Sequence, residues 1–253
     1  MTDSTENNSP NLANTDVSRS EPIQSIGIEL NKIYTGNYLD ITSDLPDKCI
    51  DIAITSPPFN VGKNYGFKFN DKRSNYSDWL TVVGMELERL SRSAVYIFIN
   101  QDNMWTVQKS LKGFHQWLFW HKPNSCAAGR NAKIFGWTRT VTPIAMSWPD
   151  RIIEMDKVSG ATTYDLINAV GPQTNYNGDL KRLHIAQDPV AAYWPLIART
   201  PGNIVFDPFM GSGTTAIASI RSSKEWIGCE INQEFVDTAN KRIENELKQD
   251  SLF

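Results

Sequence analysis

The chain has 253 residues, 25 Lys and Arg against 28 Asp and Glu, and a formal net charge of −3. Its 40% apolar and 21% charged residues suit a globular chain with a sizeable core, and no apolar run approaches the ~18–20 residues of a membrane span. The first ten residues, MTDSTENNSP, carry no basic stretch ahead of an apolar core, so no secretory signal is expected and the expected location is cytoplasmic.

Residues 1–25 are rich in Ser, Asn, Thr and Asp and predict a disordered tail ahead of one domain at 26–253. Asp3, Glu6, Asp16 and Glu21 against Arg19 place the whole net charge in that tail. Apolar runs rich in Ile, Val, Phe and Trp predict strands at Lys32–Thr35, Ile50–Ile54, Ala94–Ile99, Gln116–Trp120, Val141–Ser147, Asn203–Phe206 and Trp226–Cys229. Between them, Ser77–Leu90 sets Leu80, Val83, Leu87 and Leu90 on one helical face, with Ser77 as its cap. Trp105 and Trp117 fall at apolar positions and are expected in the core. A helix from about Ala216 to Ile220 follows the sixth strand. Another after Asn232 repeats Phe235, Ala239, Ile243 and Leu247 every four residues. Alternating strands and helices with continuously apolar strands indicate an α/β sheet covered on both faces. Only 149–184 breaks the rhythm. It is too long for an ordinary connection and is expected to be functional or a small subdomain.

The strand Ile50–Ile54 runs directly into Thr55-Ser56-Pro57-Pro58-Phe59-Asn60. Two prolines stop the strand and stiffen the backbone, since each fixes φ and removes an N–H. The result is a ledge presenting a hydroxyl, carbonyl oxygens and an aromatic ring, or simply a turn with a local serine cap. The amine of cytosine or adenine is a poor nucleophile because its lone pair is delocalised into the ring. A Ser56 oxygen and a Pro57 carbonyl that each accept one N–H favour a localised lone pair, and Phe59 is suited to stack on an extruded base.

The strand Asn203–Phe206 runs into Asp207-Pro208-Phe209-Met210-Gly211-Ser212-Gly213-Thr214-Thr215. The glycines let backbone approach a ligand, and Glu230, at the end of the following strand, is placed to grip a ribose through its hydroxyls. The pattern is neither the dinucleotide GxGxxG nor a phosphate loop ending in Gly-Lys-Ser/Thr. An adenosyl ligand with a carboxylate, S-adenosylmethionine, fits better.

With both motifs in hand, the chain resembles the amino-methylating DNA methyltransferases in their permuted β-type order. In that order a S/D-P-P-Y/F motif comes first, a target-recognition region next and F-x-G-x-G last. Gly36-Asn37-Tyr38-Leu39-Asp40 resembles the family's G-D-x-L-x block, with Asn37 for the usual Asp. Trp120-His121-Lys122-Pro123 resembles its W-x-K block, and His184 through Pro189 its H-P-x-x-x-P segment, with Ile185 for the first proline.

The resemblance implies a seven-stranded Rossmann-like methyltransferase sheet with helices on both faces and a recognition region inserted at about 124–183. It implies Ser56, Pro57, Pro58 and Phe59 as catalytic residues. Cofactor contacts are implied from Asp40, Thr55, His184, Pro189, Asp207, Pro208, Phe209, Gly211, Ser212, Gly213, Thr214, Thr215, Glu230 and Ile231. Transfer is then direct, with no covalent enzyme intermediate. Methylation at cytosine carbon 5 needs a Pro-Cys thiolate, and none of Cys49, Cys126 and Cys229 follows a proline. These three are also too few for a disulfide framework or a metal site.

Ser before Pro-Pro resembles the enzymes that act on cytosine N4; Asp or Asn there is more frequent among those acting on adenine N6. Cytosine is the expected base and adenine the alternative. RNA or protein N-methylation, or nucleotide binding without catalysis, lie further off.

The expected macromolecular partner is double-stranded DNA, with a cognate restriction endonuclease and a homodimer left open. Candidate DNA contacts are Lys63, Lys72, Arg73, Lys122, Arg130, Lys133 and Arg139, which gather after the first motif and in a middle stretch, 120–149, that holds no acid. The segment Phe59–Tyr76, with Tyr65, Phe67 and Phe69, suits either a lid over the pocket or a loop whose aromatics pack back on the sheet.

Overall fold

The computed structural model describes residues 21–62, 71–124, 137–173 and 187–250. Among the described residues, eight strands make one sheet: β1 (Lys32–Thr35), β2 (Ile50–Thr55), β3 (Ser91–Phe98), β4 (Phe114–His121), β5 (Val141–Ser147), β6 (Leu166–Asn168), β7 (Ile204–Asp207) and β8 (Glu225–Glu230). Their order in space is β1-β8-β7-β2-β3-β5-β4-β6. β1, β8, β7, β2 and β3 pair in parallel, and β5 runs antiparallel to both β3 and β4. The helices are α1 (Glu21–Ser25), α2 (Tyr38–Thr42), α3 (Tyr76–Leu90), α4 (Met104–Ser110), α5 (Val190–Arg199), α6 (Thr214–Ile220) and α7 (Gln233–Asp250).

Strand β2 is buried along its whole length because it feeds two cores. Ile52 and Ile54 face a cluster with Tyr96, Phe98, Tyr193, Ile197 and Ile217, under α5, α6 and α7. Ala53 faces the other, with Leu80, Val83, Leu87, Ile97 and Phe206, under α3. A strand covered on both faces has no polar alternation, hence its near-continuous apolar run. On α3 the expected face is fully buried, and each such side chain contributes about 1.5–3 kcal/mol. Asp51 ties β2 to the entry of β7. Its Oδ2 accepts the Asn203 and Ile204 N–H groups at 2.7 and 2.9 Å, and Arg92 pairs with Oδ1 at 3.0 Å. Gly202 (φ +112°) makes that approach possible, since a Cβ there would lie 2.4 Å from Asp51 Cβ.

Several expectations are corrected. Among the described residues the sheet has eight strands where seven are expected; the extra edge strand β6 pairs in parallel with β4 inside the stretch expected to be irregular. Glu21–Ser25 is helical within the expected tail, because buried Ile23 anchors it against the core below α3. Asn75, not Ser77, sits at the start of α3, and the Ser77 carbonyl accepts the Thr81 hydroxyl one turn on. Trp105 is 65% exposed, since the short α4 turns Val107 and Ser110 inward instead. Trp117 is half-buried against Phe114. On α7, Leu247 is exposed and Phe235 half-buried; the buried stripe is Val236, Ala239, Ile243 and Glu246, whose carboxylate receives Arg221. Among the described residues no helix is long and apolar enough to cross a membrane.

Candidate active site

The chain reaches β2 from the β1 edge, continues outward through β3, and returns to lay β7 against β2. Their carboxyl ends therefore meet where the winding direction of the sheet reverses, the place where open α/β sheets take ligands. Ile52 and Ala53 pair with Val205 and Phe206, so the two sequence motifs emerge side by side. A hydrogen bond of 2.7 Å from the Thr55 hydroxyl to Asp207 Oδ1 joins them, across 152 residues of sequence.

The ledge is held from behind. Pro58 carbonyl accepts the Tyr76 hydroxyl at 2.7 Å, and Phe59 carbonyl accepts the Asn100 and Asn103 side-chain amides at 3.2 Å each. Pro57 lines the cavity, and among the described residues nothing donates to its carbonyl. The two arms of the following loop are cross-braced. Val61 N–H meets Asp71 Oδ2 at 3.2 Å, and Arg73 N–H meets Asn60 Oδ1 at 2.7 Å. Tyr76 thus packs back on the sheet side, while Tyr65, Phe67 and Phe69 lie outside the described residues.

In the second motif, Asp207 is a fully buried hub. It accepts the Thr55 hydroxyl, the Thr215 hydroxyl at 2.5 Å and the Phe209 N–H at 2.9 Å. Burial pushes its carboxyl up to about 6, with those donors pulling the other way. Gly211 and Gly213 both take positive φ; a Cβ on Gly213 would also sit 3.1 Å from Ala239 Cβ on α7. Glu230 ends β8 and accepts the N–H groups of Gly211 and Asn232 at 2.9 Å each. Its carboxyl is raised, chiefly by burial. Arg242 of α7 donates to the Ser212 carbonyl from outside, fixing the loop.

Both motifs open into one cavity of about 670 Å³, within the ~300–1,000 Å³ range of small-molecule sites. Its lining takes in Phe209, Gly211, Ser212, Thr214, Thr215, Glu230 and Ile231 from the second motif and the strand after it, Ser56, Pro57, Pro58 and Phe59 from the first, and Asp207 and Pro208. Thr55, Gly213 and Pro189 support this lining from behind, Pro189 as the residue that starts α5. Asp40 differs from expectation. It is exposed on α2, because Asn37 caps that helix and turns Asp40 outward; Asn37 and Tyr38 line the cavity instead. His184 lies outside the described residues.

The lining extends beyond the residues expected as catalytic or cofactor contacts. Tyr38 and Trp79 meet Phe209 with ring centroids 5.3 and 5.5 Å apart, and the Arg73 guanidinium lies 4.8 Å over Trp79. Trp120 and Lys122 line the cavity, as do Gly171 and Pro172, and Asn124 and Gly171 exchange two 2.9 Å hydrogen bonds. Tyr193 and Asp188 complete the wall. A tyrosine amid the apolar run of α5 was the available signal, and it reads as core.

Of the candidate DNA contacts, Arg73 and Lys122 line the cavity and Lys72 is exposed nearby. Arg139 instead forms a two-pronged pair with Asp102 at 2.7 and 2.8 Å. Lys63, Arg130 and Lys133 lie outside the described residues, as does Cys126. Cys49 and Cys229 are buried, and burial pushes the Cys49 thiol to about 11 and Cys229 higher still, which suits neither to attack carbon.

The geometry agrees with comparisons to known proteins. The chain is 27% identical to the type II methyltransferase M.BglII of Bacillus subtilis, over 88% of this chain and 72% of that protein. It is 26% identical to the DNA adenine methyltransferase YhdJ of Escherichia coli (strain K12), over 86% and 84%. Among solved structures, the cytosine-N4-specific PvuII DNA methyltransferase superposes with a TM-score of 0.67 at 19% identity, over 83% of this chain and 85% of that one. The complex of M1.HpyAVI with S-adenosylmethionine superposes at 0.64 and 22%, over 84% and 98%. The profile of the N6/N4 DNA methylases matches residues 50–241, from the first residue of β2 into α7, and the chain belongs to that family of DNA methyltransferases.

Proposed function

We propose that this enzyme transfers a methyl group from S-adenosylmethionine to the N4 amine of a cytosine flipped out of duplex DNA. The observation that carries the reading is the joint opening of the serine ledge and the Gly211–Glu230 wall into one cavity, coupled through Thr55 and Asp207. The donor set fits the cofactor: a buried carboxylate for ribose hydroxyls, close backbone at Gly211, and the aromatic trio of Tyr38, Trp79 and Phe209. When bound, S-adenosylmethionine supplies a sulfonium methyl for direct displacement by nitrogen. Glu230 orients the ribose, and Ser56 and Pro57 accept the amine hydrogens so that the nitrogen lone pair points across the cavity. Phe59 offers its face to the base, and Lys122 and Arg73 draw the polynucleotide toward the mouth. Most of the gain is positioning.

A neutral serine at the ledge supports cytosine over adenine, as does the fold likeness to a cytosine-N4-specific enzyme; the adenine-specific relative is the observation behind the adenine alternative. Similarity to type II methyltransferases supports a place in a restriction–modification pair. In the test, purified protein transfers labelled methyl from S-adenosylmethionine to duplex DNA, and Ser56→Ala combined with Phe59→Ala largely abolishes it. Undiminished transfer by that variant overturns the ledge assignment, and preference for RNA or protein in competition overturns the substrate.

A further inference from the structure

A serine in the ledge creates a problem that a carboxylate does not: it carries its own proton. If the target amine is to give both its hydrogens to acceptors, the Ser56 hydroxyl hydrogen must point elsewhere. A hydroxyl aimed at the amine nitrogen would donate to its lone pair and oppose the attack.

The cavity wall supplies the other acceptor. Tyr193, on the second turn of α5, lines the cavity beside Ser56 and stacks on Phe98, with ring centroids 4.3 Å apart and planes inclined by 6°. Its hydroxyl donates to Asp188 Oδ2 at 3.0 Å. A phenol has one hydrogen, so once Asp188 takes it the Tyr193 oxygen is left only to accept, and Ser56, which lines the same cavity, brings a hydroxyl that can turn toward it. Asp188 is itself held in place: its backbone carbonyl accepts the Thr214 hydroxyl at 3.0 Å, at the start of α6. A Ser56 hydroxyl turned toward Tyr193 completes a run of donors that goes one way and ends on the Asp188 carboxylate.

We propose that Tyr193, anchored by Asp188, is a positioning residue that takes the Ser56 hydroxyl hydrogen and so turns the serine lone pairs toward the target amine. Neither residue touches the reacting atoms in this account; both act through Ser56. The inference rests on the reading of Ser56 as an amine acceptor and deepens it, by naming what makes a serine serve there.

The test is single-turnover methyl transfer with enzyme in excess, alongside equilibrium binding of S-adenosylmethionine. Tyr193→Phe keeps the ring stack on Phe98 and removes only the acceptor. It is expected to slow transfer about tenfold, one hydrogen bond's worth, with S-adenosylmethionine affinity unchanged. Asp188→Ala, which frees the tyrosine hydrogen to turn toward the serine, is expected to slow transfer by a similar factor. In the Ser56→Ala background Tyr193→Phe is expected to cost nothing further, since the hydroxyl it orients is gone. Three results overturn the proposal: transfer by Tyr193→Phe within twofold of the unaltered enzyme, a loss that multiplies with that of Ser56→Ala, or a fall in S-adenosylmethionine affinity that accounts for the whole effect. Full activity of Ser56→Ala alone removes the underlying ledge reading as well. An impaired Ser56→Ala beside a fully active Tyr193→Phe removes only the role given to Tyr193.

Discussion

Asp207→Asn isolates the charge at the junction of the two motifs. The carboxyl ordinarily titrates near 3.8 and in the folded protein is pushed up to about 6, with burial as the main cause. Between those values the folded state holds a proton that the unfolded state has released, so stability contributed by this group is present below about pH 4 and is lost as pH rises through about 6. The difference corresponds to about 3 kcal/mol across the window. Asparagine keeps the shape and is neutral throughout. Its amide forces one threonine hydroxyl to accept instead of donate, an offset that does not change with pH. Urea unfolding followed by tryptophan fluorescence, at fixed ionic strength from about pH 4 to pH 7, is therefore expected to show the unaltered protein losing about 2 kcal/mol relative to the variant. Parallel stability curves for the two proteins would refute the buried-hub account of Asp207.

Two further outcomes follow from the site. Glu230→Gln removes the carboxylate that faces the cavity at the end of β8; titration calorimetry is expected to show S-adenosylmethionine affinity reduced about tenfold or more, with DNA affinity unchanged. Arg73→Ala and Lys122→Ala are each expected to weaken DNA binding and to flatten its salt dependence by about one unit of log–log slope, whereas Arg139→Ala, already engaged by Asp102, changes neither.

Much of this molecule was legible because its chemistry sits where strands end. An apolar run that stops at Pro57-Pro58, and another that gives way to Asp207-Pro208 and the glycines, announce both a buried strand and a break in it; that the two strands lie side by side is what the family resemblance implies, and β2 pairs with β7. Glu230 stood out in the sequence as an acid at the end of the strand that follows the glycines, and its carboxylate accepts the Gly211 N–H. What escaped was whatever depends on contacts between distant segments. Strand β6 is three residues long and exists only because β4 offers it an edge. Trp105 and Leu247 look like core residues, yet α4 and α7 each bury a different stripe, chosen by their neighbours. Asp40 fits a family block by position but not by direction, because Asn37 starts the helix before it. Tyr193 sits in an apolar run and shows its polar side only through Asp188, which it meets at 3.0 Å, and through the cavity it shares with Ser56, 137 positions away in the chain.

The central claim, methylation of a cytosine amine in duplex DNA, is tested most directly by expressing the chain in a host without endogenous N4-methylcytosine and digesting the DNA to nucleosides for mass spectrometry. The account predicts N4-methyldeoxycytidine, confined to one recognition sequence on modification-sensitive sequencing and absent with Ser56→Ala. N6-methyldeoxyadenosine in its place would contradict the choice of base, and unmodified DNA from cells making folded enzyme would contradict the proposed activity.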